Sequence, residues 1–361
     1  MNVLPASFFA PIYYNFLLLL VLIACVKLLV QKKVPTDNIR SYIVVFGLIV
    51  FMGIRPVSGH YFGDMGRYVR CFNEYSLGIY SNKSPDIGFF WFTRMLSSFV
   101  SDRVYIFFCA FLYIFILFIA LKKIDNKYWY ILFLSIIAGI SFWGAGVNGI
   151  RTGLASSFVL LGFVRHSKKK YVLALLYFII GASFHKSLLL PIVAWYVAMG
   201  YTNSTRLLQI WLVVLILSVF IGEKFTGIFE LLNMADRANS YLNKDIDKAE
   251  FGDMKAGYFR WDFLFYSIIP VIIGWYAVIR KKMNDNFYSH LFNTYLIANA
   301  FWVMIIRVNF SNRFAYLSWF FMGILIVLPF FKEDVFKKRE NYLAFVLMFF
   351  YAFTYLINVM L

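Results

Sequence analysis

The residues best suited to chemistry lie between Asn148 and Ser187. Asn148 and Arg151 are three apart, neighbours on one helical face, at the start of an apolar run rich in small residues. A basic knot, Arg165 to Lys170, closes that run, and a second apolar run leads to His185, Lys186 and Ser187. Out and back, the two runs place Arg151 and His185 on the same side of a membrane, with the knot on the other. A guanidinium is a planar fork of donors that grips carboxylate or phosphate through paired hydrogen bonds. An imidazole can take up a proton near neutral pH or donate to a phosphate; a structural hydrogen bond would use the same ring. Gly149 and Gly153 form a small-xxx-small pair that lets helices press close around Arg151.

The elements that must position these groups are membrane helices. The chain has 361 residues, of which 62% are hydrophobic and 15% charged, against about 25% charged in ordinary soluble domains. Repeated apolar runs of about 20 residues predict an all-α polytopic membrane protein. About twelve transmembrane helices are expected in one integral domain over residues 1–361. They fall near 11–30, 41–54, 103–121, 129–144, 147–165, a hairpin of two short spans within 171–199, then 207–222, 262–279, 288–306, 313–331 and 341–360. The first is read as a retained span and not a signal peptide, because no basic residue precedes it and no small-residue cleavage site follows.

Loop charge sets the orientation. Lys32, Lys33, Lys122, Lys123 and the Arg165–Lys170 knot mark cytoplasmic loops. Both termini and two larger segments, 55–102 and 223–261, then fall outside. The second segment carries six basic and seven acidic residues, a balance that suits an extracytoplasmic loop. Residues 87–100 would span only about 21 Å as a helix, against a core of about 30 Å, so they are expected to form a re-entrant or surface helix. The net charge of +17 is explained by this asymmetry and not by nucleic acid. Three cysteines without CxxC spacing suggest neither a disulfide framework nor a thiolate metal site.

This topology leaves Arg55, Arg67, Arg70, Arg151, Lys186, Arg260, Arg307 and Arg313 outside near helix ends, together with His185. Any one of them could snorkel or pair with Asp64, Glu74 or Asp262. As a set, they suit an anionic ligand carrying more than one phosphate. Arg260, Arg307 and Arg313 come from spans well apart, so their convergence is assumed. Asp245 and Asp247 form a DxD within a run of mixed charge and read more simply as a solvated loop. The four histidines lack ligand spacing, and neither a metal nor a cofactor is expected. Tyr61, Tyr68 and Trp143 have the character to stack on sugar rings.

Four places in the chain resemble the EpsG-type branch of bacterial O-antigen and exopolysaccharide polymerases, the Wzy-like proteins. Arg55 is followed by Gly63, Asp64 and Tyr68. An acidic residue precedes a Gly-aromatic pair in Asp86-Ile87-Gly88-Phe89. Arg151 opens a small-residue helix, with Thr152 where a glutamine is usual. Phe184-His185-Lys186-Ser187 supplies the histidine. Arg313 before Phe314 and Tyr316 also fits. The resemblance implies a metal-independent glycosyltransferase of the bacterial inner (cytoplasmic) membrane, with its active site facing the periplasm. Such enzymes transfer a growing glycan from undecaprenyl diphosphate to the terminal sugar of another lipid-linked unit. Outer-face arginines would stabilise the departing diphosphate, and a base would take the acceptor proton.

On this reading Arg151, Arg307 and Arg313 hold the diphosphate, and His185 or Asp64 does acid–base work. Arg55, Arg67, Tyr68, Asn148, Lys186 and Arg260 complete the substrate-binding set. Implied partners are the undecaprenyl-diphosphate-linked oligosaccharide, membrane lipid, a flippase and a chain-length regulator. An O-antigen ligase would share the donor and the arginines but deliver to lipid A core. A flippase would need polar groups through the bilayer depth, where these runs are nearly free of charge. No pattern for a membrane acyltransferase is found. The topology is testable by cysteine labelling in intact cells. A cysteine at position 245 should react with a membrane-impermeant maleimide, and one at 169 should react only after the inner membrane is permeabilised; the reverse result overturns the orientation.

Overall fold

The computed structural model describes residues 4–80, 84–231, 258–308, 311–331 and 335–360. All regular structure among them is helical. Two units form, Met1–Ile192 with Val327–Leu361, and Val193–Ile326. Neither junction is marked by a polar linker: both fall inside apolar runs, which is why sequence reading expects one domain over the whole chain.

The first unit opens with α1 (Phe9–Val30) and α2 (Ile39–Gly53). The polar segment that follows is itself folded, as α3 (Gly59–Phe62) and α4 (Met65–Ser76). Next come α5 (Ile87–Ser97) and α6 (Asp102–Ile124). α5 is one-sided: Phe89, Phe90, Thr93 and Ser97 are buried, while Ile87, Trp91 and Met95 are exposed. At 11 residues it is about 16 Å long, too short to cross a core of about 30 Å.

The span expected over 129–144 is broken. α7 (Trp129–Ile137) and α8 (Ile140–Val147) meet at 75°. A bend frees backbone carbonyls, which are costly to leave unpaired in an apolar medium. Tyr13 Oη answers this, donating to Ile137 O at 2.6 Å at the end of α7; Tyr113 Oη donates into α8, to Phe142 O at 3.2 Å. α9 (Ile150–Ser167) is almost wholly buried and lies between α6 and α10 (Tyr171–Phe184). Within it Gly153 has the close packing expected, since a Cβ there would fall 2.5 Å from Ala145 O; Gly149 would make only ordinary contacts. The 171–199 stretch is interrupted at His185, where the backbone turns extended (φ −156°, ψ 107°). A 3-10 turn, Lys186–Leu188, leads into α11 (Leu189–Gly200), which runs from the first unit into the second.

In the second unit α12 (Ser204–Leu231) continues past the expected end of its span, with a non-helical residue at Ile221. α13 (Trp261–Gly274) runs on through a π-turn, Trp275–Arg280. α14 (Asn286–Met304) and α15 (Asn312–Trp319) follow, then α16 (Met322–Val327). Three hydrogen bonds here join buried polar side chains. Trp211 Nε1 donates to Asn299 Oδ1 at 2.9 Å, Asn299 Nδ2 to Ser318 Oγ at 3.1 Å, and Trp319 Nε1 to Ser267 Oγ at 2.7 Å. Back in the first unit, α17 (Arg339–Tyr355) packs along α1, with Tyr351 Oη donating to Tyr14 O.

Among the described residues five helices are long and apolar enough to cross a membrane: Ala6–Val30, Asp102–Ile124, Ser204–Gly222, Trp261–Arg280 and Arg339–Met360. Seven qualify if each bent pair, 129–147 and 312–331, counts as one span. This is the architecture of a polytopic membrane protein, with fewer qualifying spans than the twelve expected. The difference has physical causes. α2, α10 and α11 are 15, 14 and 12 residues long, short of the roughly 20 a full crossing needs. α9 and α14 carry serine, threonine and asparagine that lower their hydropathy, and both bury those groups inside the protein.

Three helices end in the same way. Lys32, Lys169 and Lys282 follow α1, α9 and the π-turn with φ of 51°, 59° and 52°, in the left-handed position that usually belongs to glycine. At the second of these, Lys169 N and Lys170 N bond back to His166 O and Arg165 O, both at 2.9 Å.

One contact in the first unit fixes the position of α5. A Cβ on Gly88 would lie 2.1 Å from Ser183 Oγ and 2.7 Å from Ser183 Cβ, so only glycine lets α5 press onto α10. Overpacking of this kind costs about 1–3 kcal/mol. Gly88→Val should therefore lower the melting temperature in detergent, and adding Ser183→Gly should recover part of the loss. An unchanged melting temperature for Gly88→Val would show that the two helices are free to separate.

Candidate active site

Asp86 stands just before α5, only 1% exposed, and donors from two other segments converge on it. Arg151 Nη1, from the first turn of α9, lies 2.6 Å from Oδ2. His185 Nδ1, from the break after α10, lies 3.3 Å from the same oxygen. The Lys186 backbone N–H donates to Oδ1 at 3.1 Å. Each position has a local cause. The Gly88–Ser183 contact seats α5 on α10, the extended backbone at His185 turns its ring and the next amide toward α5, and Gly153 lets α9 close on Ala145. Burial alone would raise the Asp86 carboxyl. The His185 hydrogen bond and charge, with Arg151 and the Lys186 amide, outweigh it and hold the group below the usual carboxylate range. Asp86 is therefore an anion held by donors, and a poor proton acceptor.

Arg151 has further partners. Its Nε donates to Tyr68 Oη at 3.3 Å and its Nη1 to Ser84 Oγ at 3.4 Å, with Cζ 5.6 Å from the centre of the Tyr68 ring. Among the described residues Nη2 makes no hydrogen bond. Arg151 lines a small pocket with Arg67, Tyr68, Cys71 and Tyr75 of α4, Ser84, Pro85, and Phe89 and Thr93 of α5. Arg67 makes no hydrogen bond or ion pair among the described residues. The pocket volume is about 30 Å³, space for one or two water molecules. Its wall therefore offers two guanidiniums, with one arm of Arg151 and the whole fork of Arg67 uncommitted.

The structure thus brings together Arg67, Tyr68, Arg151, His185 and the amide of Lys186. Asn148 is adjoining: its Oδ1 accepts from Asp64 N at 2.8 Å, tying the start of α4 to the turn before α9. Arg55 stands elsewhere. It is 4% exposed and donates to Met52 O and, at 3.1 Å, to Gly146 O, so its charge serves the carbonyl ends of α2 and α8. Arg260, Arg307 and Arg313 belong to the second unit. Arg260 is doubly bonded to Asp262, at 2.9 and 2.6 Å, over the Phe263 ring, the pairing that sequence reading held as its alternative. Arg307 Nη2 donates to Val219 O at 3.1 Å, beside the irregular turn of α12. Arg313 is exposed at the start of α15. Asp245 and Asp247 lie outside the described residues.

Sequence reading singled out neither Asp86 nor Ser84, Cys71, Tyr75 and Thr93 as site residues. For Asp86 a signal existed: a lone acid at the boundary between a polar segment and an apolar helix, two residues before a glycine. For the pocket wall there was none, because the fold of α4 onto α5 is a long-range event.

A family model described as the EpsG family matches residues 38–361, which include Asp86, Arg151 and His185. The chain belongs to the EpsG family. No curated protein and no solved structure matches it. The family assignment agrees with the resemblance carried by Asp64, Asp86, Arg151 and His185, and the fold bonds both Arg151 and His185 to Asp86.

In this EpsG-family pocket Cys71 offers a direct probe. Burial pushes its thiol up, Glu74 adds to this, and Arg67, Arg70 and Arg151 only partly oppose it. Little thiolate exists at neutral pH, so Cys71 should react slowly with a small maleimide at pH 7 and faster as pH rises. Its adduct would fill the pocket. Loss of polymer synthesis in step with Cys71 labelling, absent in Cys71→Ser, is the expected result; full activity with Cys71 fully labelled would remove this pocket from the site.

Proposed function

We propose that this EpsG-family protein is a polysaccharide polymerase that joins undecaprenyl-diphosphate-linked oligosaccharide units on the periplasmic face of the bacterial inner membrane. Membership of the family supports the class of reaction. The observation that carries the mechanism is the pocket itself: Arg67 and Arg151 on one wall, with His185 beside Arg151 on the same carboxylate.

The donor's diphosphate sits against Arg67 and the open arm of Arg151. Bonding between the sugar's anomeric carbon and the phosphate oxygen breaks as charge gathers on that oxygen, and preorganised guanidiniums stabilise it. The hydroxyl of the second lipid-linked unit attacks the anomeric carbon and gives its proton to His185. The pocket, sized for water, must widen or take the diphosphate at its mouth. No step calls for a metal; among the described residues no three His, Cys, Asp or Glu side chains are grouped to hold one. Tyr68 and Asn148 border the site and suit contacts to sugar hydroxyls, and Lys186 is exposed at its edge. Asp64 is the second candidate for acid–base work. Arg307 and Arg313 are not needed by this mechanism.

Deletion of the gene should leave cells that still make the single repeat unit on its carrier and cap but lack long chains. Loss of the capped single unit points to a ligase or flippase, and normal polymer excludes all three. Arg151 separates the fork from the charge. Each charge-assisted bond contributes about 1.5–3 kcal/mol, so Arg151→Lys should lower long-chain polymer by about tenfold or more. Arg151→Ala should abolish it in protein that still reaches the membrane. Normal polymer from well-expressed Arg151→Lys rejects the clamp, and normal polymer from Arg151→Ala removes Arg151 from the site.

A further inference from the structure

We propose that Asp86 is a positioning residue that sets which nitrogen of His185 takes the acceptor's proton and locks one arm of Arg151, leaving the other for phosphate. The inference rests on the polymerase reading of this pocket and assigns a role to a residue that reading does not use.

The geometry is that of a shared clamp. An ionised carboxylate only accepts hydrogen bonds. With Oδ2 at 3.3 Å from His185 Nδ1, it selects the form of the ring that carries its proton on Nδ1. Nε2 is then the nitrogen with a lone pair for the incoming proton. Oδ1 meanwhile accepts from Lys186 N, so Asp86 holds both the His185 ring and the peptide that follows it. The helix is broken there, so the bond to Oδ2 helps set the direction of the ring. The same Oδ2 takes Arg151 Nη1 at 2.6 Å and so orients the guanidinium plane.

Asp86 is not suited to be the base itself. Its side chain is 2% exposed, against 13% for His185, and three donors stabilise its anion. His185 has the access and, as the acceptor's oxygen bonds to the anomeric carbon, an imidazolium forming beside Asp86 is stabilised by that fixed charge. The proton leaves from Nε2 to solvent after the diphosphate departs as an anion, so charge and atoms balance. The other charged and titratable groups around the cluster are Arg151 and, through it, Tyr68 and Asp64, Arg67 and Cys71 on the pocket wall, and Lys186.

Two measurements test this on the full-length protein in detergent. The first is the pH profile of chain growth from a polyprenyl-diphosphate-linked oligosaccharide. His185 must be neutral to accept a proton, and the Asp86 anion favours its charged form. Asp86→Asn should therefore cut kcat by about tenfold or more and move the acidic limb of the profile to lower pH. Asp86→Glu should return the limb toward its original place. An unmoved limb in folded Asp86→Asn overturns the proposal. The second uses the wild-type chain alone: nitrogen NMR of labelled histidine, assigned with His185→Gln. A neutral ring protonated on Nδ1 is expected, and one protonated on Nε2 overturns the proposal even if Asp86→Asn fails to fold. Wild-type protein that extends no glycan refutes the polymerase reading instead, while the ring's proton position still decides the Asp86 bond.

Discussion

A carboxylate cannot be buried in an apolar protein without donors, and the bond that satisfies Asp86 organises the first unit. Arg151, His185 and the Lys186 amide come from opposite ends of the α9–α10 pair, and Asp86 comes from the short helix laid across it. The ion pair with Arg151 neutralises a charge that α9 would otherwise carry uncompensated into its packed interior. Removing either partner would leave the other buried without its nearest opposite charge, the costly half of such an arrangement. The small contacts nearby, Gly88 on Ser183 and Gly153 on Ala145, are the packing conditions under which these groups can meet.

Elsewhere side chains take backbone carbonyls near several helix ends. Tyr13 takes a carbonyl at the end of α7, and Tyr113 one within α8. Arg55 takes carbonyls at the ends of α2 and α8. Arg307 takes Val219 O near the irregular turn of α12. An arginine near a helix end in this chain is therefore of two kinds. Arg55, Arg260 and Arg307 are engaged with backbone carbonyls or with a carboxylate on their own helix, whereas Arg67 and Arg151 still present donors to a pocket.

That distinction marks the limit of what the sequence discloses. Hydropathy located α1, α6, α12, α13 and α17, because a long apolar helix is a local property. Loop charge placed the break at His185, and length kept 87–100 from being read as a full span. The bends at Gly139 and after Trp319 were hidden, because each lies in an uninterrupted apolar run; at the first, a tyrosine far away in the chain takes the Ile137 carbonyl. For the site, Arg151 and His185 were legible as polar groups at the ends of apolar helices. Asp86 was read as one residue of a family pattern, and its contacts with Arg151 and His185 emerged only when α5 was seen against α10. The basic residues near helix ends could be collected from sequence but not sorted, because an arginine's partner is a tertiary fact.

The three left-handed lysines carry a different implication. Glycine would adopt that backbone freely, whereas a residue with a Cβ gives up roughly 1–2 kcal/mol to stay there. At Lys32, Lys169 and Lys282 the chain accepts this cost at the negative end of a helix dipole, among further lysines. Local folding and charge placement are thus set against each other three times over, and charge prevails. A glycine at these positions would give a better-formed helix end in a test tube and a poorer marker of which side of the bilayer that end should occupy, so these sites would mislead any effort to stabilise the protein by consensus helix capping.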